Sequence, residues 1–458
     1  MSRTIPQRAG GFRVRALGIA WALLIAPALA RGAKEPVRLE EAFPPGYQYH
    51  VSCRVDIAGS LSLPLEKGET KPRTLPVTGE SAIEYDERVL HRDAAGRVQK
   101  TIRIYRRIRF ERRVGGRLQE STIRPGVRRL VILRHRNIEV PFSPDGPLLW
   151  AEMDLVRTDV FTPALTGLLP EGPVRPGDRW KAALTAIQEL TDMDRVKDGA
   201  MSCKFEQLTT LGSRPHARVS FSGSITGNNE DGPNRQQLEG YFFFDLRSRH
   251  LSYLYLKGTQ FLLDAEGKVQ GRVVGHFTLT RQPDARRDLS DEGLRGVALQ
   301  PNDDNTLMLY DNPDLGVQFL YPRRWRVAGV RGRQVALDEA RGNGLLLTLE
   351  PPRQVPTADQ FLTEARTWLG KQKGRLFRIE RPRRLQNPPL LLDRFSLDAE
   401  LARQRVFLEY YVIRQARGGA TVTARLLPAE LTRARRDAER IARSVRITGE
   451  IVAEQPKK

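Results

Sequence analysis

Alternation of apolar and polar residues dominates this chain, and it predicts strands. Five consecutive runs, at 202–211, 216–226, 238–245, 251–261 and 270–280, alternate and are rich in β-branched and aromatic residues. Turn-forming stretches separate them, among them Gly-Asn-Asn-Glu-Asp-Gly at 227–232 and the run 264–268. Strands joined by such short turns predict an antiparallel meander.

Upstream, 47–57 and 79–92 alternate in the same way, and 127–134 sets Val127, Leu130 and Ile132 among arginines. The stretch 97–114 fits two periods. Ile102, Ile104, Ile108 and Phe110 suit a strand face, while Ile102, Tyr105 and Ile108 suit a helix. Leu149, Met153, Val156 and Val160 recur at steps of three and four. That spacing predicts one amphipathic helix within 148–169, or two broken at Pro163. In Pro176-Gly177-Asp178-Arg179-Trp180, the aspartate reads as a turn residue bonding its own backbone, ahead of a strand. Residues 31–45 read as a loose polar lead-in.

A second unit follows a polar stretch rich in Arg, Asp, Gly and Asn, residues 283–305, which reads as a linker. Strands are predicted at 317–321, 335–337, 345–350, 391–397, 406–413 and 421–426. Thr357 caps a helix over 358–369, whose stripe is Phe361, Leu362, Ala365 and Trp368 or Leu369. A closing amphipathic helix spans 431–444. Of Tyr410 and Tyr411, alternation turns at most one ring inward. The chain thus divides into a β-rich unit at 45–282, the linker, an α/β unit at 306–448 and a tail at 449–458.

The first thirty residues differ in kind. Arg3, Arg8, Arg13 and Arg15 precede an apolar run, 16–30, ending in Ala28-Leu29-Ala30. This predicts a cleavable signal peptide over 1–30. The run is about 15 residues, against the roughly 20 that span a bilayer, so a retained anchor is the lesser alternative. Export to the periplasm, the cell envelope or the exterior follows.

Charge and cysteine content then refine the picture. The net charge is +21, and 13 of the 75 basic residues are lysine. Arginines are spread through the chain and alternate with apolar residues, as in Ile102-Arg103-Ile104, which is the pattern of wet strand faces. Nucleic acid is not an expected partner of an exported chain. Peripheral contact with anionic membranes or wall polymers is. Cys53 and Cys203 are expected either to form a disulfide in an oxidising compartment or to be two buried thiols.

The region 315–325, Leu-Gly-Val-Gln-Phe-Leu then Tyr321-Pro322-Arg323-Arg324-Trp325, resembles the opening of PsbP-like domains. The end, Ile441-Ala442-Arg443-Ser444-Val445-Arg446-Ile447, is similar to their closing helix, serine and strand. The resemblance implies an antiparallel sheet with packed helices in an adaptor protein without common catalytic residues. On the residues alone, Pro322 stops a strand and Trp325 anchors a core. The first unit, through Gly240-Tyr241-Phe242-Phe243-Phe244-Asp245 and the two strands after it, resembles LolA-type half-barrels. That implies a curved sheet wrapped on helices, with an apolar concavity. The expected fold class is therefore α+β: a curved antiparallel half-barrel with a packed helix, then a smaller α/β sandwich.

No catalytic or cofactor motif accompanies these elements. His50, His91, His135, His216, His250 and His276 are not at metal-ligand spacing. Nucleophile elbow, P-loop and dinucleotide fingerprint are missing from the sequence. No catalytic residue, metal or cofactor is assigned. The expected role is a non-enzymatic envelope protein that binds a lipid, an acyl chain or a partner protein. The alternatives are a structural or cell-surface protein that associates with polyanions, and an unrecognised hydrolase. Phe242, Phe244, Tyr253, Tyr255 and Phe277 are the candidate lining of an apolar face, without a choice between the two faces of each strand.

Overall fold

In the computed structural model, described over residues 35–62, 73–135, 138–229, 232–386 and 390–451, the alternating runs form long antiparallel strands. The predicted leader and the last residues of the tail lie outside the described residues. The first unit comprises β1 (Gln48–Ser62), β2 (Thr74–Arg92), β3 (Val98–Val114), β4 (Arg117–Thr122), β5 (Arg129–His135), β6 (Ile138–Phe142), β7 (Leu148–Leu149), α1 (Trp150–Arg157), a 3₁₀ turn (Thr162–Leu168), β8 (Arg179–Lys181) and α2 (Leu184–Thr191). It is completed by β9 (Arg195–Leu211), β10 (Arg214–Asn229), β11 (Gly232–Asp245), β12 (His250–Leu263) and β13 (Val269–Pro283). The second unit has β14 (Met308–Asn312), β15 (Val317–Tyr321), β16 (Trp325–Arg331), β17 (Gln334–Glu339), β18 (Gly344–Glu350), α3 (Ala358–Lys371), β19 (Arg375–Leu385), β20 (Leu391–Leu401), β21 (Gln404–Gln415), β22 (Gly418–Leu426), α4 (Leu431–Ser444) and β23 (Arg446–Ile447).

The predicted meander is present as β9 to β13, and β13 returns beside β1. The twelve-stranded sheet runs β6-β5-β3-β2-β1-β13-β12-β11-β10-β9-β8, with β4 paired to β3 off that path. The ambiguous stretch 97–114 is strand β3. Its backbone is paired on both sides, to β2 and to β4 and β5, which overrides its partial helical period. Two strand glycines let neighbouring backbones crowd together. A Cβ on Gly240 would lie 2.1 Å from the Tyr255 carbonyl oxygen, and one on Gly223 2.3 Å from that of Ala200.

One face of this sheet is filled. The predicted helical stretch splits into α1 and the 3₁₀ turn, with Pro163 at the start of the turn, where its missing N–H costs nothing. Glu152 anchors α1: its carboxylate accepts from the Leu149 backbone N–H at 2.8 Å and from Arg124 Nε at 2.7 Å. Helix α2 has no counterpart among the elements that the sequence pattern predicts. Met153, Val156, Phe161, Leu165, Leu168 and Ile187 from these segments pack on Val51, Tyr85, Phe205 and Phe242 of the strands. Each such side chain stabilises the fold by about 1.5–3 kcal/mol on full burial. The lead-in is not loose: Leu39 and Phe43 are buried in the same core, and the Glu41 carboxylate pairs with Arg281.

The second unit is a seven-stranded antiparallel sheet, β16-β17-β18-β22-β21-β20-β19, with α3 on one face and α4 on the other. Two helical layers overturn the expectation for Tyr410 and Tyr411. The rings do point to opposite sides, but both sides are covered, and both rings are buried. Helix α3 opens with a capping box: Thr357 Oγ1 accepts from the Gln360 N–H at 3.2 Å, and Gln360 Oε1 accepts from the Thr357 N–H at 2.8 Å. Its stripe takes Ala365 and Leu369, and Trp368 is left 45% exposed. Trp325 is the anchor expected, wholly buried, its Nε1 donating to Asp437 Oδ2 of α4 at 2.7 Å. Ser444 Oγ accepts from the Leu320 N–H at 2.8 Å, which ties the end of α4 to β15.

The units interlock. A four-stranded sheet, β23-β15-β14-β7, takes β7 from the first unit, paired parallel to β14 through Leu148 with Met308 and Leu149 with Leu309. Arg326 stacks on Trp150 at 4.6 Å. The connecting segment is packed as well, with Leu289 and Leu294 buried against Ile102, Val131 and Phe142.

Candidate functional site

The register of the first sheet sorts the candidate aromatic residues. Phe242 faces Leu254 across the strand pair, and Phe243 faces Tyr253. Phe242 and Phe244 point to the helix-covered face and are fully buried. Phe277 shares that face, two residues before buried Leu279, and is half-buried. Tyr253 and Tyr255 do not join them. Strand alternation turns both to the opposite face, where they gather round Tyr241 at ring separations of 6.0 and 5.5 Å. The proposed lining is therefore two groups on two faces.

The disulfide is also corrected: Cys53 and Cys203 are free and buried. Four strands lie between β1 and β9, so the sulfurs are separated by five strand steps of about 4.8 Å each. A disulfide needs Cα atoms within about 7 Å. Burial pushes the Cys203 thiol up to about 12, and the Cys53 thiol is raised for the same reason.

Under the helices lies a buried ionic network that sequence reading missed. Arg103 Nε donates to Glu87 Oε1 at 2.7 Å, and its Nη1 to Asp159 Oδ2 at 3.0 Å. Tyr49 donates to Glu87 Oε2 at 2.5 Å, and Tyr105 to Asp159 Oδ2 at 3.2 Å. Alongside, Arg134 pairs with Glu189 at 2.7 Å and Glu139 at 3.4 Å and stacks on Phe161 at 4.5 Å. Two guanidinium groups thus meet four carboxyl groups. Each arginine neutralises one carboxylate, and burial disfavours charge on the other two. Burial pushes Asp159 up to about 7 and Glu139 up to about 8. Such shifts occur at catalytic acids. Here the groups are sealed: a cleft of about 710 Å³ reaches Arg134 and Phe161, and Glu87, Glu139 and Asp159 do not line it. The network fastens the 3₁₀ turn to the sheet, with Thr162 Oγ1 donating to Tyr49 Oη at 3.1 Å.

Further along the same strands the burial becomes partial, although Leu256 and Val77 of this face stay buried. On the helix-covered face, Cys53, Ile83, Leu254 and Leu279 are buried. Beyond them, Val55, Ile57 and Leu61 of β1, Phe277 and Val273 of β13, and Leu262 of β12 emerge to half-burial. Gly79, Ile57, Gly275 and Gly258 stand side by side across β2, β1, β13 and β12 and form a low apolar floor. Nothing local demands glycine at 275. A Cβ there would sit 3.4 Å from Ile57 Cγ2 and 3.7 Å from the Asp56 oxygen, ordinary contacts, and its φ is not positive. The missing side chain leaves room above the floor instead. On the other face at this level, Arg54, Asp56, Arg272 and His276 are exposed to water.

A polar cleft of about 470 Å³ on the outer face gathers His50, His216, His250, Arg214 and Asp245. His50 Nδ1 lies 2.8 Å from Asp86 Oδ1, and burial holds His250 down to about 4. Among the described residues no group of three such side chains is placed to hold a metal ion. Asp178 makes the expected turn, accepting from the Arg175 N–H at 2.7 Å.

By architecture this is an α+β protein, a helix-filled curved antiparallel sheet interlocked with a second antiparallel sheet that carries helices on both faces. No protein-family model matches the chain, and no curated protein does. Among solved structures it is similar to cyanobacterial PsbP from Synechocystis, with 14% identity over 31% of this chain and 92% of that one and a TM-score of 0.25. It is similar to the Ran-binding protein Mog1p of Saccharomyces cerevisiae, with 11% identity over 31% of this chain and 96% of that one and a TM-score of 0.25. It is also similar to lipovitellin, with 9% identity over 53% of this chain and 26% of that one and a TM-score of 0.28. These likenesses are remote, and the functional reading rests on the chain's own residues.

Proposed function

We propose that this chain is an exported, non-enzymatic binding protein that takes an extended apolar chain, of the acyl type, along the open stretch of its helix-covered sheet face. The observation that carries this reading is the half-exposed apolar floor of Ile57, Gly275 and Gly258, flanked by Val55, Phe277, Leu61 and Leu262. Half-exposed apolar surface with a glycine floor is what an acyl chain needs, since its attraction is the removal of apolar area from water. The end of the same face that the helices fill is closed to it. The leader expected at 1–30 is in keeping with a role outside the cytosol.

The test is extraction of the purified full chain with organic solvent, followed by mass spectrometry of the extract. Co-purifying acyl lipid is the expected result. Gly275→Leu and Gly258→Leu place side chains over the floor, and they are expected to lower the bound lipid about tenfold, the loss of roughly 1.4 kcal/mol of contact, without lowering the melting temperature. An empty protein, or lipid retained by both folded variants, overturns the reading.

A further inference from the structure

The second unit carries a feature that the apolar floor does not account for. One cleft of about 600 Å³ runs along helix α4 beside Asp304 and Leu307, an adjoining one of about 330 Å³ runs along the edge strand β19, and Arg435 of α4 lines both. Eight arginines and three acids line them. The excess is placed, not diffuse. At the floor, fully buried Glu409 is gripped by Arg435 at 2.6 Å and by Arg394 at 2.8 Å. Along one wall, Arg440 is held by Asp304 at 3.0 Å, and Arg443 donates to the Gln386 carbonyl at 2.6 Å, which fixes the end of α4 beside the end of β19. Above this scaffold stand Arg378, Arg381 and Arg383 of β19 and Arg436 of α4. Among the described residues these four have no acidic partner, and Arg378, Arg381, Arg383 and Arg436 are all exposed.

We propose that the cleft between α4 and β19 binds a linear phosphate-bearing polyanion. Guanidinium groups match phosphate oxygens in pairs, and several unneutralised ones along one cleft favour a ligand with charges repeated along its length. Arg394 at the floor is held by Glu409 and its side chain is only 6% exposed, so the ligand meets the exposed arginines above it. Charged residues on an edge strand also guard it against pairing with another sheet. That role explains arginines on β19, but not Arg436, which sits on α4 in the adjoining cleft. The inference is independent of the apolar floor.

The test measures binding of inorganic polyphosphate to the full chain across a salt series, beside orthophosphate and phosphatidylglycerol vesicles. The double variant R381Q/R436Q is expected to bind polyphosphate about tenfold more weakly, with a salt slope shallower by about one for each arginine removed. The variant R107Q/R272Q removes the same charge from exposed positions on the first sheet and is expected to stay within about twofold of the parent chain, because distant exposed charges are screened. G275L is expected to bind polyphosphate as the parent does, so failure of the lipid reading leaves this result interpretable. Three outcomes each overturn the proposal. The first is equal loss in both arginine variants. The second is binding of polyphosphate no tighter than of orthophosphate. The third is arginine-dependent binding of vesicles without arginine-dependent binding of polyphosphate.

Discussion

Single residues here are governed by charge balance in a dry interior. Arg103 and Arg134 can each neutralise one buried carboxylate, so Asp159 and Glu139 are left to hold protons, at about 7 and about 8. Both values lie above those of the unfolded chain. The folded protein therefore binds more protons than the unfolded one as pH rises from about 4 to 8, and stability falls over that range. Buried His250, held down to about 4, works in the opposite sense up to its ordinary value near 6.5. Above pH 6.5 the carboxyl groups act alone. From pH 6.5 to 8 the unfolding free energy is expected to drop by about 2–2.5 kcal/mol. Glu139→Gln, which keeps the neutral shape, should remove roughly two thirds of that drop in urea titrations at the two pH values, and Asp159→Asn roughly one third. The cysteines give a second check at this scale. Denatured without reductant, the chain should gain two alkyl adducts by mass, where a disulfide would block both.

At the scale of elements, local rules and packing contribute separately. The capping box at Thr357 is a local device, legible from Thr357 and Gln360 alone. Thr357→Ala should lower stability by about 1 kcal/mol in a denaturant midpoint, and Thr357→Ser should restore it. The strand β3 is not legible in this way. Its arginine-interrupted pattern suits either period, and hydrogen bonding on both edges decides it. Helix α2 has eight residues, too few to show a clear period, and its place is set by Ala186 and Ile187 packing on the sheet. Trp368 and Leu369 compete for one stripe. Leu369 repeats the step from Phe361 and Ala365, so the larger side chain stays outside.

At the scale of the whole molecule, the two units share one core. Residues from Leu39 to Ile451 belong to a single buried cluster, and β7 and β14 form one sheet across the boundary. Thermal unfolding should accordingly show one transition, with tryptophan fluorescence and far-ultraviolet circular dichroism coinciding. Two resolved steps would mean that the β7–β14 pairing and the Arg326–Trp150 contact contribute little. The same assembly explains why the candidate floor is only partly legible in the sequence. Alternation singles out Phe242, Phe244, Tyr253, Tyr255 and Phe277 without choosing a face, and whether a given stretch of a face is sealed or open depends on where α1, the 3₁₀ turn and α2 end.

By itself, the sequence determined the five meander strands and their antiparallel order, the α+β class, the cap of α3 and the anchoring of Trp325, because each of these depends on period, turn chemistry and size within a short stretch of chain. Tertiary structure alone decided that Cys53 and Cys203 stay apart, that Tyr253 and Tyr255 turn away from Phe242, and that four carboxyl groups from distant strands and helices meet two arginines. Those outcomes depend on which strands become neighbours and which faces are covered, and separation in space is not a property of any local pattern.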